Sequence, residues 1–392
     1  MIKRFALIII INICMIILSG CGDDPASIGT DILKDDLINI VEKDSFADSL
    51  IQSSSYFKRV LPLAKSSTLL IGRNANVESS ILMKFSLPIA DSLETDLLNG
   101  NINVLSAKVL LTQLYSFGDS TASFDFSVHN ITSNWASAFT SYSLAFLNYD
   151  PLDVSSDRLY VNDDSLEFAL DNQLVLNWLK AEADTNIPAD NGIYLKPSEN
   201  AQKIAGFFAI PILRVLIEKS GVYEDSLAFI TYSEVSAVVG STPAANSENI
   251  IIQNSVEFGS KLWFDLSSLP KVVKINYAEL TLNLDTTETI TGSNYTKYIR
   301  ANLLIDSSSN IIDSNLIAAN SNQASAISVA GSLYKGDITN YVQNWVNGTD
   351  NQGILLTSAF LGEGVELLSF KGSNSADLAV KPRLKIIYTT KK

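Results

Sequence analysis

Over most of its length the chain alternates short apolar runs with clusters of Ser, Asn, Asp and Gly, the period-two signature of half-buried strands separated by turns. Val104 to Leu114, Ser123 to Val128, Ala278 to Leu284 and Leu384 to Tyr388 are clear cases. Helical periodicity is scarce and marks two stretches. In one, Asp171 stands as a cap before Leu174, Val175, Trp178 and Leu179. In the other, Asp337 precedes Ile338, Tyr341, Val342 and Trp345, and Gly348 suits the left-handed residue that ends a helix. This pattern predicts an all-β fold, a sandwich or jelly roll, in which Trp178 and Trp345 plug the core beneath a sheet. Stacking against a sugar is the alternative role for those two indoles.

The pattern occurs twice. Ile81-Leu82-Met83-Lys84-Phe85-Ser86-Leu87-Pro88 answers to Lys261-Leu262-Trp263-Phe264-Asp265-Leu266-Ser267-Ser268-Leu269-Pro270, and Leu105–Leu111 answers to Ile275–Leu282. The two helical stretches, the strands Asn191–Leu195 and Gln352–Leu356, and the closing runs Pro211–Ile217 and Pro382–Tyr388 follow in the same order. Five landmarks in one order imply two homologous, jelly-roll-like β-sandwich domains, each with one short helix, spanning 45–220 and 221–392.

Ahead of them, Lys3 and Arg4 precede an apolar run from Phe5 to Leu18, the size of a signal-peptide core and short for a membrane span. The run ends in Leu18-Ser19-Gly20-Cys21, which resembles a bacterial lipobox, with Cys21 as the lipidation site. The expected division is a signal peptide over 1–20 and an acylated flexible tether over 21–44. The alternative is an uncleaved anchor with an incidental cysteine. Two or more acyl chains hold a protein stably at a membrane. The chain is therefore expected at the bacterial outer membrane or cell surface. Gly22-Asp23-Asp24 resembles the export signals of some surface lipoproteins, and Ser27–Leu33 resembles the opening of uncharacterised lipoproteins from gliding and gut bacteria.

Composition narrows the chemistry. The 392 residues carry 28 Lys plus Arg against 42 Asp plus Glu, a net charge of −14 that speaks against a nucleic-acid partner. One His and two Cys leave nothing from which to build a Cys/His zinc cluster. Cys14 leaves with a signal peptide, so the mature chain has no disulfide. His129 lies on a strand with Asp125 and Ser127 on its wetter face and reads as a surface histidine, because no nucleophile elbow accompanies it. Asp163-Asp164, Asp153 with Asp157, and Asp184 with Asp190 are the carboxylate pairs available for glycoside hydrolysis, all in turn-like stretches. Asp184, Asn186 and Asp190 form the best oxygen-rich candidate for calcium. The loop Asn347–Asn351 is its shorter counterpart. Otherwise no cofactor is expected. Tyr142, Tyr149, Tyr160, Tyr295 and Tyr298 are candidate glycan platforms.

The second copy, with LWFDLSSLP, YAELTL, GDITNYVQNWVNG, QGILL and KPRLKIIY, resembles the DNRLRE-type domain; the first is a diverged copy with Ser86 at the place of Asp265. The resemblance covers roughly 45–217 and 225–390. It implies extracellular β-sandwiches of a carbohydrate-binding-module kind, in binding or structural service. The expectation is a lipid-anchored, non-enzymatic surface protein binding glycan or matrix. A structural component of an envelope protein complex is the alternative, and a carboxylate-based lyase or glycosidase the third.

Overall fold

A computed structural model describes residues 38–391 apart from 59–62, 64–65, 75–76, 120, 137, 161–163, 242–247, 257, 309–324 and 331–332. The expected signal peptide, the expected lipidation site Cys21 and the expected tether up to residue 37 lie outside the described residues. In chain order the first elements are β1 (Ile38–Asp44), β2 (Gln52–Lys58), β3 (Thr68–Asn74), β4 (Val77–Phe85), α1 (Asp91–Leu98), β5 (Ile102–Phe117), β6 (Phe126–Asn130), β7 (Ser155–Tyr160), β8 (Ser165–Leu170), α2 (Asn172–Ala183), β9 (Ile193–Pro197), β10 (Ile204–Phe208) and β11 (Ile212–Lys219). There follow β12 (Tyr223–Gly240), β13 (Asn249–Gln253), β14 (Phe258–Phe264), β15 (Lys274–Asn283), β16 (Tyr298–Leu303), β17 (Ser325–Ala330), β18 (Leu333–Asp337), α3 (Thr339–Val346), β19 (Ile354–Ser358), β20 (Leu367–Lys371) and β21 (Arg383–Lys391). The protein is all-β, built on two curled sheets. Among the described residues no helix is long and apolar enough to cross a membrane.

The two sheets share one pairing scheme. β3, β4, β9 and β6 are joined as β13, β14, β19 and β16 are; β11, β5, β8 and β7 are joined as β21, β15, β18 and β17 are. The registers agree: Met83 lies opposite Ile193, and Leu262 opposite Ile354. Gly192 (φ +84°) and Gly353 (φ +86°) follow the same turn, and a Cβ on either would run into the carbonyl oxygen of Met83 or Leu262. Only glycine accepts both the conformation and the close approach.

One feature of the scheme crosses between the halves. β12 pairs with β11 through its first part and with β4 through its second. The matching places on the second sheet are taken by β1 against β21 and β2 against β14. Each sheet is thus completed by the strands that precede the other half in sequence. Pairing therefore does not break at 220/221, and residues 38–58 belong to the second sheet. The expectation of a tether running to residue 44 is corrected accordingly. Ile38–Asp44 is a strand, seen only once its partner 341 residues or more away is in place, and Val41 packs on the second core.

A further correction concerns α1, a helix beyond the one expected in the first half. It is short, and only Leu93 and Leu97 face the core, too few apolar positions to reveal a period. α2 is capped as expected, with the Leu174 N–H donating to Asp171 Oδ1 at 2.7 Å. Asp337 receives the Thr339 N–H at 2.8 Å, one residue outside the helix start, and Gly348 has φ +105°.

Three apolar cores follow. One fills the first half around Phe168, Val175 and Trp178; one fills the second around Tyr334, Val342 and Phe370. The third lies between the halves, where Leu70, Leu82, Tyr115 and Val235 meet Val256, Phe258 and Val365. Hydrogen bonds seal this junction. The Glu363 carboxylate accepts from Ser67 N (3.0 Å), Ser67 Oγ (2.6 Å) and Thr68 Oγ1 (2.6 Å), while Val365 N donates to the Tyr115 hydroxyl at 3.1 Å.

Candidate functional site

In β14 the alternation of a half-buried strand sends Leu262 and Phe264 into the core and Trp263 outward. Its indole Nε1 donates to Asn351 O at 3.1 Å. Asn351 in turn donates through Nδ2 to Phe264 O (2.8 Å) and accepts from Gly353 N (3.1 Å), so one side chain ties the loop after α3 to the end of β14. Between this loop and the turn from Asp265 to Val272 lies an open cleft of about 450 Å³. Trp263 and Trp345 line it together, beside Asp265, Lys271, Asn347 and Asp350. Trp345 is half-buried: it packs on the second core and also meets the cleft.

The expectation that both helix tryptophans are core plugs therefore separates. Trp178 is buried against Phe85, with ring centroids 6.5 Å apart. α2 continues to Ala183, past Trp178, whereas α3 stops at Val346, one residue after Trp345, and leaves its indole at a rim. Register puts Lys84 where the second half has Trp263. Its ammonium donates to Asn134 Oδ1 (3.2 Å) and lies 5.2 Å from the Trp135 ring, and Trp135 donates to Asn191 O at 2.8 Å. Trp135 thus covers the residue that matches Trp263.

Asp265 accepts from Ser267 N at 2.9 Å, and the Ser267 backbone and hydroxyl hold its carboxyl below the usual range. An ionised carboxylate of this kind can accept from hydroxyls, and of the two groups in a glycosidase pair it matches the base or nucleophile, not the protonated acid.

The other sequence candidates lie elsewhere. His129 is buried, not a surface residue, because Tyr149 and the backbone of Asp150 and Leu152 return against its side of the strand. Its ring sits against Tyr149 and Tyr194, with centroids 5.0 and 6.3 Å away. Nδ1 faces the carbonyls of Asp150 (3.0 Å) and Leu152 (3.2 Å), which only accept, so Nδ1 is the donor there, and Nε2 is within hydrogen-bond distance of Ser127 Oγ at 2.7 Å. Asp125 accepts instead from its neighbour Phe126 N (2.8 Å). A Ser–His contact exists without the carboxylate of a triad.

Asp153 accepts from Val128 N, Ser155 and Arg158 just ahead of β7; Asp157 lies within β7 at φ +50°, where the register with β8 shifts between Ser156 and Leu159, so it is a strand residue and not the turn acid expected. Asp163 lies outside the described residues, and the Asp164 carbonyl accepts from Gln113 N. Of the calcium candidates, Asp184 Oδ1 accepts from both nitrogens of Asn186 (2.9 and 2.7 Å), while Asp190 accepts from Gly192 N. Burial pushes Asp190 up to about 6, against the pull of Gly192 and Lys84. Among the described residues no three His, Cys, Asp or Glu side chains are grouped to hold a metal.

Of the tyrosines, Tyr149 lies beneath Lys196, Tyr295 bonds through its hydroxyl to Tyr334, and Tyr298 is exposed on β16. The side chains of Tyr142 and Tyr160 lie outside the described part. Trp263, which no sequence motif singles out, lines the cleft, and its outward place is readable from the alternation Leu262-Trp263-Phe264.

No family model, curated protein or solved structure matches this chain.

Proposed function

We propose that this chain is a lipid-anchored, non-enzymatic protein of the bacterial outer surface that binds a neutral glycan in the cleft between Trp263 and Trp345. The observation that carries the reading is two indoles on one open cleft, flanked by Asp265, Asn347 and Asp350. Apolar faces of sugar rings stack on indoles, and carboxylates and amides fix orientation by accepting from or donating to hydroxyls. The acidic balance of the chain favours an uncharged polysaccharide over an anionic one. Asp265, whose carboxyl is held below the usual range, serves as an ionised acceptor for sugar hydroxyls.

The test is affinity electrophoresis of residues 21–392 carrying Cys21→Ser, against neutral and acidic polysaccharides with and without calcium. A neutral polysaccharide retards the protein, and Trp263→Ala abolishes the retardation while circular dichroism stays unchanged. No retardation at millimolar affinity or better by any polymer overturns the reading.

The second reading is an assembly component of an envelope complex. It is favoured by β1, an edge strand that exposes Ile38 and Ile40.

A further inference from the structure

We propose that a second cavity, separate from the tryptophan cleft, captures the free carboxyl terminus of an apolar peptide. Its origin lies in how the two sheets are completed. On the first sheet β12 crosses from β11 to β4 as one strand, with a register shift between Thr231 and Ser233. On the second sheet the same passage, from β21 to β14, is made by two strands, β1 and β2, joined by residues 45–51. Between that turn and the stretch from Ser373 to Arg383 lies a cavity of about 470 Å³. Ligand cavities measure about 300–1,000 Å³. It shares no lining residue with the cleft at Trp263 and Trp345. Hydrogen bonds fix its walls. Ser45 N donates to Leu384 O (2.9 Å), Leu384 N to Ser45 Oγ (2.8 Å), Leu50 N to Ser45 O (3.2 Å) and Asp265 N to Ile51 O (2.7 Å). Opposite, Asp377 Oδ1 accepts from Ala379 N at 2.9 Å and caps the short helical turn Leu378–Val380.

The lining defines the ligand through three features. Phe46, Ile51 and Leu378 face the cavity and are exposed, an apolar wall left open to solvent. Gln52 also lines it, and its Oε1 is buried with no hydrogen-bond partner among the described residues. A buried acceptor left unpaired is uncommon in native structures, and a glutamine amide turns readily about its last torsion, so this oxygen calls for a donor on a ligand. Lys381 is the third feature. It lines the cavity and makes no ion pair among the described residues, whereas the Arg383 guanidinium beside it is committed to Asp44, with Nε donating to both carboxylate oxygens at 3.0 and 2.9 Å. An apolar body, an N–H and a negative charge close together are what the last residues of a peptide present: side chain, amide and terminal carboxylate. An ionised fatty acid lacks the donor, and a neutral sugar lacks the charge.

Titration calorimetry tests this on the chain from residue 21 with Cys21→Ser. The probes are N-acetyl tripeptides ending in Leu, Ile, Val or Phe, each as the free carboxylate and as the carboxamide. A carboxylate peptide binds at millimolar affinity or better, and its carboxamide binds about tenfold more weakly, the loss of one charge-assisted contact. Lys381→Met reproduces that loss for the carboxylate and leaves the carboxamide unchanged. Gln52→Leu weakens both forms, because both carry the amide N–H. The proposal is overturned if no carboxylate peptide binds, if carboxylate and carboxamide bind equally, if Lys381→Met keeps the preference, or if laurate binds more tightly than every peptide. The comparison of the two peptide forms needs no substitution in the cavity, so it decides even where a variant fails to fold.

Discussion

Asp190 and Asn351 hold the same place in the two halves: each accepts, through Oδ1, the N–H of the glycine two residues on, Gly192 or Gly353. One half does with a carboxylate what the other does with an amide, and burial makes the carboxylate the costlier choice. Asp190 is pushed up to about 6, above the ordinary 3.8. Between those values the folded chain binds a proton that the unfolded chain has lost, so stability falls as pH rises through the window. Asp190→Asn keeps the acceptor and removes this cost. Urea unfolding should show the variant about 1–2 kcal/mol more stable at pH 8 and no gain at pH 4.

The opposite sign is expected at Asp44. The Arg383 guanidinium holds its carboxyl below the usual range. Its contribution is therefore present in full above the ordinary carboxylate value and is lost as pH falls through the lowered one. Arg383 is half exposed, which limits the pair's worth. Asp44→Asn should cost about 1–2 kcal/mol at pH 7, and the gap between thermal melts of variant and parent should shrink as pH falls below the ordinary carboxylate value.

Glycine substitutions separate backbone strain from collision. Gly100 has φ +74° with open space around it, so Gly100→Ala meets only the left-handed penalty, about 1 kcal/mol. Gly353→Ala adds a Cβ 2.7 Å from Leu262 O, and Gly192→Ala one closer still to Met83 O. Because backbone cannot yield as a side-chain tip can, these two should cost about 2–4 kcal/mol in chemical denaturation.

The junction between the halves offers a fourth expectation. The Tyr115 hydroxyl receives Val365 N and donates to Glu366, and burial followed by Glu366 pushes its phenol up. Tyr115→Phe strands the buried Val365 N–H and leaves Glu366 with the Asn254 amide but without the phenol, a loss of about 1–3 kcal/mol by calorimetry. Gly292→Ala places a methyl against the Tyr115 ring. Both variants touch one contact, so their costs should be less than additive in the double variant.

What could be read in advance is what depends on near neighbours. Strand alternation, the Asp171 cap, the left-handed Gly348 and the order of landmarks all arise from residues within about a turn or a hairpin of each other. They were enough for the all-β class and for pairing Met83 with Leu262 across the repeat. The cleft was less legible. Trp345 has the same helical setting in sequence as Trp178, and its exposure depends on where α3 stops and on which loop returns over it. The burial of His129 depends likewise on Tyr149, Asp150 and Leu152 returning against its strand.

The sequence by itself determined that the chain makes half-buried strands, that it does so twice, and which chemistry its composition leaves out. The tertiary structure alone decided which strands complete which sheet, because a strand's alternation names its buried face but not its partner. The pairing of Ile38 with Lys391 joins the two ends of the fold, and no local pattern encodes a contact across that separation. Whether an outward tryptophan meets solvent, a covering loop or a cleft is settled the same way, by what the rest of the chain lays over it.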